Sequence, residues 1–274
     1  MTDEARERDD PPSIARELDS SSVDARLASA ELTDTERDVE QQLPPVAARL
    51  FVPRGLVLVA SVWAFATWLS LFGFDPPIQS QAGSYAPSMH LMMVSFGVGI
   101  GIAWPLLRLS GPCSLAPVAQ CALDAISLFT LAQVVLWPLR LVTTWTITRM
   151  IAMDVALAMS IAFVAALLSM FTCRSTPRAR TGAMAFFVLL ALAPALLRGV
   201  FYLVGSETNT DIMNSAWSLL LTLSPPALLG TLAAAVPLDP TDAEVMLVKN
   251  AGFAAGFAWL CAMVGAIVRR RRAE

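Results

Sequence analysis

Six long apolar stretches constrain the fold of this chain more than any other feature. A helix needs about 20 consecutive apolar residues to cross the hydrocarbon core of a bilayer. Stretches of about that length occupy residues 56–72, 88–107, 117–137, 148–171, 183–204 and 248–268. They predict an all-α, polytopic membrane protein with about six transmembrane helices.

Composition excludes a soluble globular protein of this size. Of the 274 residues, 56% are hydrophobic and 15% are charged, whereas soluble domains carry about a quarter charged residues. Apolar surface on this scale has to be hidden in lipid. We therefore expect the lipid bilayer as a partner, and no nucleic acid.

The N-terminal segment differs from the rest of the chain in charge. Residues 1–43 hold thirteen acidic residues and five arginines. Acidic segments with few large apolar residues cannot bury enough surface to fold. Residues 1–45 are predicted to form an acidic, largely disordered cytoplasmic tail, and residues 46–272 the membrane domain. The role of the tail is not evident from its sequence.

A seventh apolar segment, residues 215–236, is interrupted by Pro225 and Pro226. Proline removes a helical hydrogen bond and clashes with the preceding turn. If this segment crossed the membrane, the arginine run 269–272 would lie outside, against the preference of arginine for cytoplasmic loops. We therefore predict a re-entrant hairpin, hinged at the two prolines, between the last two spans.

The same charge rule orients the whole chain. Arg54 precedes the first span and a loop without basic residues follows it, so both termini are predicted to be cytoplasmic. The expected location is the cytoplasmic (inner) membrane of a bacterium. The basic residues are nearly all arginine, which indicates a GC-rich genome. Arg140 and Arg149 are the exception, because this scheme places them in an outer loop.

Few ionisable residues lie in or beside the spans, and each costs free energy there unless it is paired. The candidates for interhelical polar contacts or a substrate path are Asp124, Asp154, Arg198, Arg140 and Arg149. An ion pair between Asp154 and Arg198 is one interpretation, and an outward basic vestibule for an anion is another. Asp124 is either a helix-packing contact or a proton-relay carboxylate.

Two further patterns lie in the second span. The start of this span carries a weak candidate for a metal site, formed by Met89, His90, Met92 and Met93. Thioether and imidazole groups suit Cu(I). Methionine at helical spacing, however, more often packs in the core. Gly97 and Gly101 form a GxxxG spacing, which favours a close helix crossing inside the fold or in a dimer.

The deduced layout resembles the ABC-2-type permeases, the membrane subunits of many exporters. The residues that carry the resemblance are an interfacial helix at 46–52, the six spans, and a re-entrant segment at 215–236. It implies a separate ATPase subunit docked near the loops 108–116 and 172–182. It also implies that two permease halves form a dimer between which substrate moves.

Two other functions are compatible with the sequence. One is a non-catalytic membrane anchor or assembly subunit of a larger complex, and the other is an ion-coupled carrier that uses Asp124 or Asp154. The chain contains no HExxH, GxSxG or Walker A motif, which are signatures of metalloproteases, hydrolases and nucleotide-binding proteins. We therefore predict no enzymatic activity and no cofactor.

Overall fold

The computed structural model describes residues 54–74, 86–111, 116–139, 145–172, 177–204, 210–233 and 239–273. The predicted tail, the interfacial helix 46–52 and Arg140 lie outside these residues. Within them the structure contains helices and no β-strand. The helices are α1 Arg54–Phe74, α2 Ala86–Val98, a π-helical segment Gly99–Ala103, α3 Trp104–Ser110, α4 Pro117–Leu139, α5 Ile147–Phe171, α6 Pro177–Val204, α7 Thr210–Leu223, α8 Pro225–Ala233 and α9 Asp242–Ala273.

Five stretches of helix in the described part of the chain are long and apolar enough to cross a membrane. They are Met89–Ser110, Pro117–Pro138, Ile147–Phe171, Arg178–Val200 and Asp242–Arg269. In α1 the shorter stretch Arg54–Leu69 is apolar, and the helix has 21 residues, about 30 Å at 1.5 Å per residue. The prediction of an all-α polytopic membrane protein is confirmed.

Large apolar side chains cover the outside of the bundle. Phe253 is 77% exposed, Val134 68% and Leu58 65%. Soluble proteins rarely expose contiguous apolar surface on this scale, whereas lipid favours it. The interior combines alanines and methionines, such as Ala165 and Met153, with large side chains such as Trp104 and Phe187.

Helices α5 and α9 are parallel. Their first turns meet where Arg149 binds Glu244, and two to three turns further on a Cβ at Gly252 would lie 3.8 Å from the sulfur of Met159. We call this side of the bundle the Arg149 end. The opposite side, where α3 finishes, is the Arg108 end.

Helix α6 returns from the Arg108 end to the Arg149 end. The ring of Phe171, in the last turn of α5, lies 5.7 Å from Phe186 and 6.0 Å from Phe187, which belong to the first half of α6. The chain therefore leaves α6 at the Arg149 end, and α9 starts again at that same end. The segment between them, α7 and α8, enters and leaves on one side.

This hairpin bends by 98° between its two helices. The break falls at Ser224, one residue before the predicted hinge. The Ser224 amide donates to Leu220 at the end of α7, and its carbonyl accepts from the Leu228 amide at the start of α8. Pro225 and Pro226 occupy the first turn of α8, where the missing N–H costs nothing. The two prolines thus begin the second helix, and the residue before them forms the hinge.

The tip of the hairpin lies half-way through the bundle. The Ser224 hydroxyl donates to the Ala191 carbonyl at 2.9 Å, and Ala191 is near the midpoint of α6. On the other side, a Cβ at Gly97 would lie only 2.4 Å from the Pro226 Cα. No larger residue fits at Gly97 unless the two backbones separate.

The second span is widened where it meets this tip. The Trp104 amide donates to the Gly99 carbonyl, which is the five-residue spacing of a π-helix. Pro105 follows directly and has no N–H for the Gly101 carbonyl, so the regular pattern cannot continue there. A Cβ at Gly101 would lie 3.5 Å from the Pro225 ring. Irregular backbone from two elements therefore meets inside the protein, which is where membrane proteins tolerate it.

Candidate functional site

One cluster of polar groups lies at the Arg149 end, around a completely buried guanidinium. Arg149 lies in the first turn of α5. The hydroxyl of Thr146 accepts a hydrogen bond from the Arg149 amide and so caps this helix. The Arg149 Nη1 donates to the Leu232 carbonyl at 2.6 Å and to Glu244 Oε1 at 3.3 Å. Its Nη2 donates to the Asp239 carbonyl at 2.9 Å and to Glu244 Oε2 at 3.2 Å. We call this cluster the Arg149 clasp.

The clasp joins three separate elements. Leu232 belongs to the last turn of α8, where helix carbonyls lack partners and a cation is favourable. Glu244 also accepts from the Thr241 amide at 2.7 Å, while Thr241 caps the Glu244 amide at 3.3 Å. This reciprocal capping box begins α9. The spacing Thr241-x-x-Glu244 is a sequence signal that would have identified Glu244, which the prediction missed.

A second cluster lies at the Arg108 end. Asp124 is completely buried, and its Oδ1 accepts from Gln120 Nε2 at 3.0 Å. Its Oδ2 lies 3.4 Å from Arg108 Nε, but without hydrogen-bond geometry. The Arg108 side chain remains 21% exposed. This ion pair therefore has hydrogen-bonding capacity left on both partners.

A cavity of about 290 Å³ lies beside this cluster. Its lining combines the ion pair with apolar residues from α1 and α3, namely Gly55, Leu56, Val59, Trp104, Leu107, Arg108 and Asp124. The indole Nε1 of Trp104 is buried and has no hydrogen-bond partner. We call this space the Arg108 cavity. A volume of this size holds roughly ten water molecules.

An apolar pocket of about 60 Å³ continues from the Arg108 cavity toward the middle of the bundle. The two spaces share four lining residues, Leu56, Val59, Trp104 and Leu107. Beyond these, the pocket is bounded by Trp63, the π-helical segment and the Leu128–Ala132 part of α4. The indole N–H of Trp63 is already bound to the Ser95 carbonyl at 3.2 Å.

The predicted ion pair between Asp154 and Arg198 is not formed. Asp154 instead accepts a hydrogen bond from Gln133 of α4, and Gln133 accepts from Trp137 Nε1 at 2.7 Å. Arg198 is exposed on α6. Asp154 and Arg198 both lie toward the Arg149 end of the bundle. The Asp154 side chain nevertheless contacts α4, because its position around the axis of α5 decides which neighbouring helix it meets.

The methionines of the weak metal candidate lie in the hydrophobic core. Met89, Met92 and Met93 are each at most 2% exposed. His90 is half-buried, and its Nδ1 has no hydrogen-bond partner. Its ring lies beside α8, where a Cβ at Gly230 would be 3.5 Å from His90 Cε1. Among the described residues, no three His, Cys, Asp or Glu side chains are grouped as metal ligands.

These features define a multi-pass helical membrane protein with a re-entrant hairpin and one buried ion pair beside a cavity. A comparison with protein-family models, with curated proteins and with solved structures finds no match to the chain.

Proposed function

We propose that this protein is the membrane-spanning subunit of a transporter, working as an ABC-2-like permease with a separate ATPase. The observation that carries the proposal is the α7–α8 hairpin, whose proline tip reaches the middle of the bundle. Broken helices that meet at the bilayer midplane are a recurrent feature of transporters. An anchor has no need of them.

The proposed orientation places the Arg108 end in the cytoplasm. Arginines gather at that end, where α1 and α6 begin and α9 finishes: Arg54, Arg108, Arg178, Arg180, Arg269 and Arg271. At the other end Arg149 is buried and paired with Glu244. Arg149 therefore presents no free charge to the membrane surface, which supports the orientation although it lies at the outer end of α5.

A labelling experiment tests this orientation in bacterial cells, the location that the proposal assumes. All four native cysteines are replaced, and single cysteines are introduced by Asp242→Cys at the first residue of α9 and by Arg178→Cys near the start of α6, both at exposed positions. A membrane-impermeant maleimide is expected to label the first in intact cells and the second only after permeabilisation. The opposite pattern would reject the orientation.

The proposed ATPase contact lies at the cytoplasmic Arg108 end. There Arg180 Nη1 donates to the Gly111 carbonyl at 3.2 Å and fixes the chain after α3 to the start of α6. The exposed neighbour Arg178 presents a cation on the same surface. The hairpin tip then lies between the two sides of the membrane, at the depth where a substrate would pass.

Quantitative mass spectrometry of proteins that co-purify in mild detergent tests the proposal. We expect a stoichiometric ATPase containing P-loop peptides, and we expect Arg178→Glu to lower its yield several-fold. Lys249→Glu makes the same change at the opposite end and should leave the yield unchanged. A stable set of other membrane subunits without an ATPase would overturn the proposal in favour of an anchor or assembly role.

An ion-coupled carrier is the second candidate, and the burial of Asp124 beside the Arg108 cavity favours it. Intramembrane carboxylates that face a cavity are typical of proton and ion pathways. In proteoliposomes under an imposed proton gradient, a carrier would give a charge displacement that Asp124→Asn abolishes and Asp154→Asn preserves. Equal signals from wild type and Asp124→Asn would exclude this role for Asp124.

A further inference from the structure

We propose that the surface around Asp154 docks a transmembrane helix of a partner protein that carries a lysine or an arginine at the same depth. The basic side chain pairs with Asp154, and the partner helix packs along α4 and α5. We call this surface the Asp154 patch; it comprises Gln133, Trp137, Ile151 and Asp154. The inference does not rest on the proposed transport function, because the proposed ATPase contact lies at the opposite end of the bundle.

Asp154 lies inside the apolar span of α5, below the level of the lipid headgroups. It is the eighth residue of this 25-residue helix, so it lies about 10 Å along the axis from Ile147, at 1.5 Å per residue. Acidic residues within membrane spans are costly, and they usually face a partner or a wet cavity. Asp154 borders neither of the two cavities described above. A partner for this carboxylate is therefore to be sought on the outside of the bundle.

Hydrogen bonds from α4 hold the Asp154 carboxylate in place without neutralising it. An indole N–H can only donate, and Trp137 Nε1 donates to Gln133 Oε1 at 2.7 Å. The amide N–H groups of Gln133 are thereby turned toward α5, where Gln133 Nε2 donates to Asp154 Oδ1. The carboxylate is the final acceptor of these two successive hydrogen bonds. A neutral amide supplies a donor but no positive charge, so the site still lacks a cation.

The second oxygen of Asp154 is open to a partner. Oδ2 accepts no hydrogen bond from any described residue, and it keeps accessible surface, whereas Asp124 Oδ2 is enclosed. No basic side chain in the described part of the chain pairs with Asp154. Ile151 and Trp137, on either side, are 51% and 46% exposed. A group that approaches along the outside of α4 and α5 can therefore reach this oxygen.

Charge and depth together select a basic transmembrane helix as the occupant. Lysine and arginine supply both the opposite charge and N–H donors, and charge-assisted hydrogen bonds of this kind are the strong ones. A soluble cation would lose its hydration for one free oxygen among apolar side chains, which is unfavourable. A helix also covers the exposed apolar side chains of the patch. Helices in lipid associate through such close packing combined with interhelical polar contacts.

Fluorescence energy transfer to designed transmembrane peptides tests the patch. A donor dye is attached to Asp242→Cys in the cysteine-free protein, which is reconstituted in phosphatidylcholine vesicles, whose headgroup offers no N–H. Three acceptor-labelled helices of leucine and alanine carry lysine, leucine or glutamate at one position, about 10 Å from one end. We expect the lysine peptide to bind roughly tenfold or more tightly than either other peptide, the ratio that one charge-assisted hydrogen bond gives. Equal affinity for the lysine and leucine peptides would overturn the proposal.

Variants of the protein assign the binding to Asp154. Asp154→Asn keeps an acceptor for Gln133 and should abolish the preference for the lysine peptide, while Asp154→Lys should reverse it in favour of the glutamate peptide. Asp124→Asn removes the other carboxylate that accepts from a glutamine, at the opposite end of the bundle, and this control should keep the wild-type preference. If Asp154→Asn prefers the lysine peptide as strongly as wild type does, the patch is refuted.

Discussion

Two arginine–carboxylate pairs among the described residues, one at each end of the bundle, use the same chemical groups in different surroundings. Around Arg149 the guanidinium reaches two backbone carbonyls and both oxygens of Glu244. Around Arg108 the guanidinium Nε lies 3.4 Å from Asp124 Oδ2, and this oxygen accepts no hydrogen bond. The Arg149 pair thus binds three elements through satisfied hydrogen bonds, whereas the Arg108 pair leaves one buried carboxylate oxygen without a donor.

The difference arises from the elements that meet at each end. The hairpin brings the carbonyl end of α8 and the amide end of α9 to Arg149, so donors and acceptors converge on one side chain. At the Arg108 end, Arg108 and Asp124 contact each other, Asp124 also accepts from Gln120, and no backbone carbonyl of a described residue accepts from Arg108. Proteins leave buried polar groups unpaired only where something compensates for the cost.

The largest expected effect is at the clasp. Arg149→Met would leave the buried Glu244 carboxylate and two carbonyls without their cation, a loss of about 3–5 kcal/mol in the free energy of unfolding. Unfolding monitored by tryptophan fluorescence in detergent measures it. Lys249→Met removes an exposed cation from the same helix α9, and this control should unfold like wild type. A small effect of Arg149→Met would show that the clasp does not hold the hairpin.

The second prediction tests whether close packing at the tip of the hairpin also contributes to the stability of the fold. Gly97→Ala places a methyl group against the Pro226 backbone, and overpacking of this kind costs about 1–3 kcal/mol. Gly182→Ala, with nothing within 4 Å of the new atom, should stabilise α6 by about 0.5–1 kcal/mol. Thermal midpoints of the two variants, measured side by side, should move in opposite directions.

At the Arg108 end we expect a smaller loss of stability. Asp124→Asn keeps an acceptor for Gln120, and the partly exposed Arg108 can turn to water, so the cost is about 1 kcal/mol. The same unfolding experiment measures it. A cost equal to that of Arg149→Met would mean that both pairs are structural, and the contrast between the two ends would fail.

The smallest effect is expected between Asp154 and Arg198. Because Asp154 is bonded to Gln133 and Arg198 is exposed, a double-mutant cycle of Asp154→Asn and Arg198→Ala should give no coupling within error. A coupling free energy above about 0.5 kcal/mol would indicate that Asp154 and Arg198 do form an ion pair.

Several features of the fold were predictable because they depend on local sequence. The apolar stretches fixed the class of protein, and Pro225 and Pro226 marked the break in the hairpin to within one residue. The re-entrant course followed from arginine distribution, and the contacts of Arg149 and Phe171 give the same course independently. By contrast, Glu244 was overlooked because its partner lies 95 residues away, even though its capping box is local.

The sequence by itself determined that this chain is a helical membrane protein, because hydrophobic length and proline chemistry act within a few turns of helix. Only the tertiary structure decided which charges are satisfied. Arg108, Arg149 and Asp124 are similar in sequence context, each an isolated ionisable residue near an apolar run. Their partners come from other helices, and which helices meet depends on packing across the whole bundle.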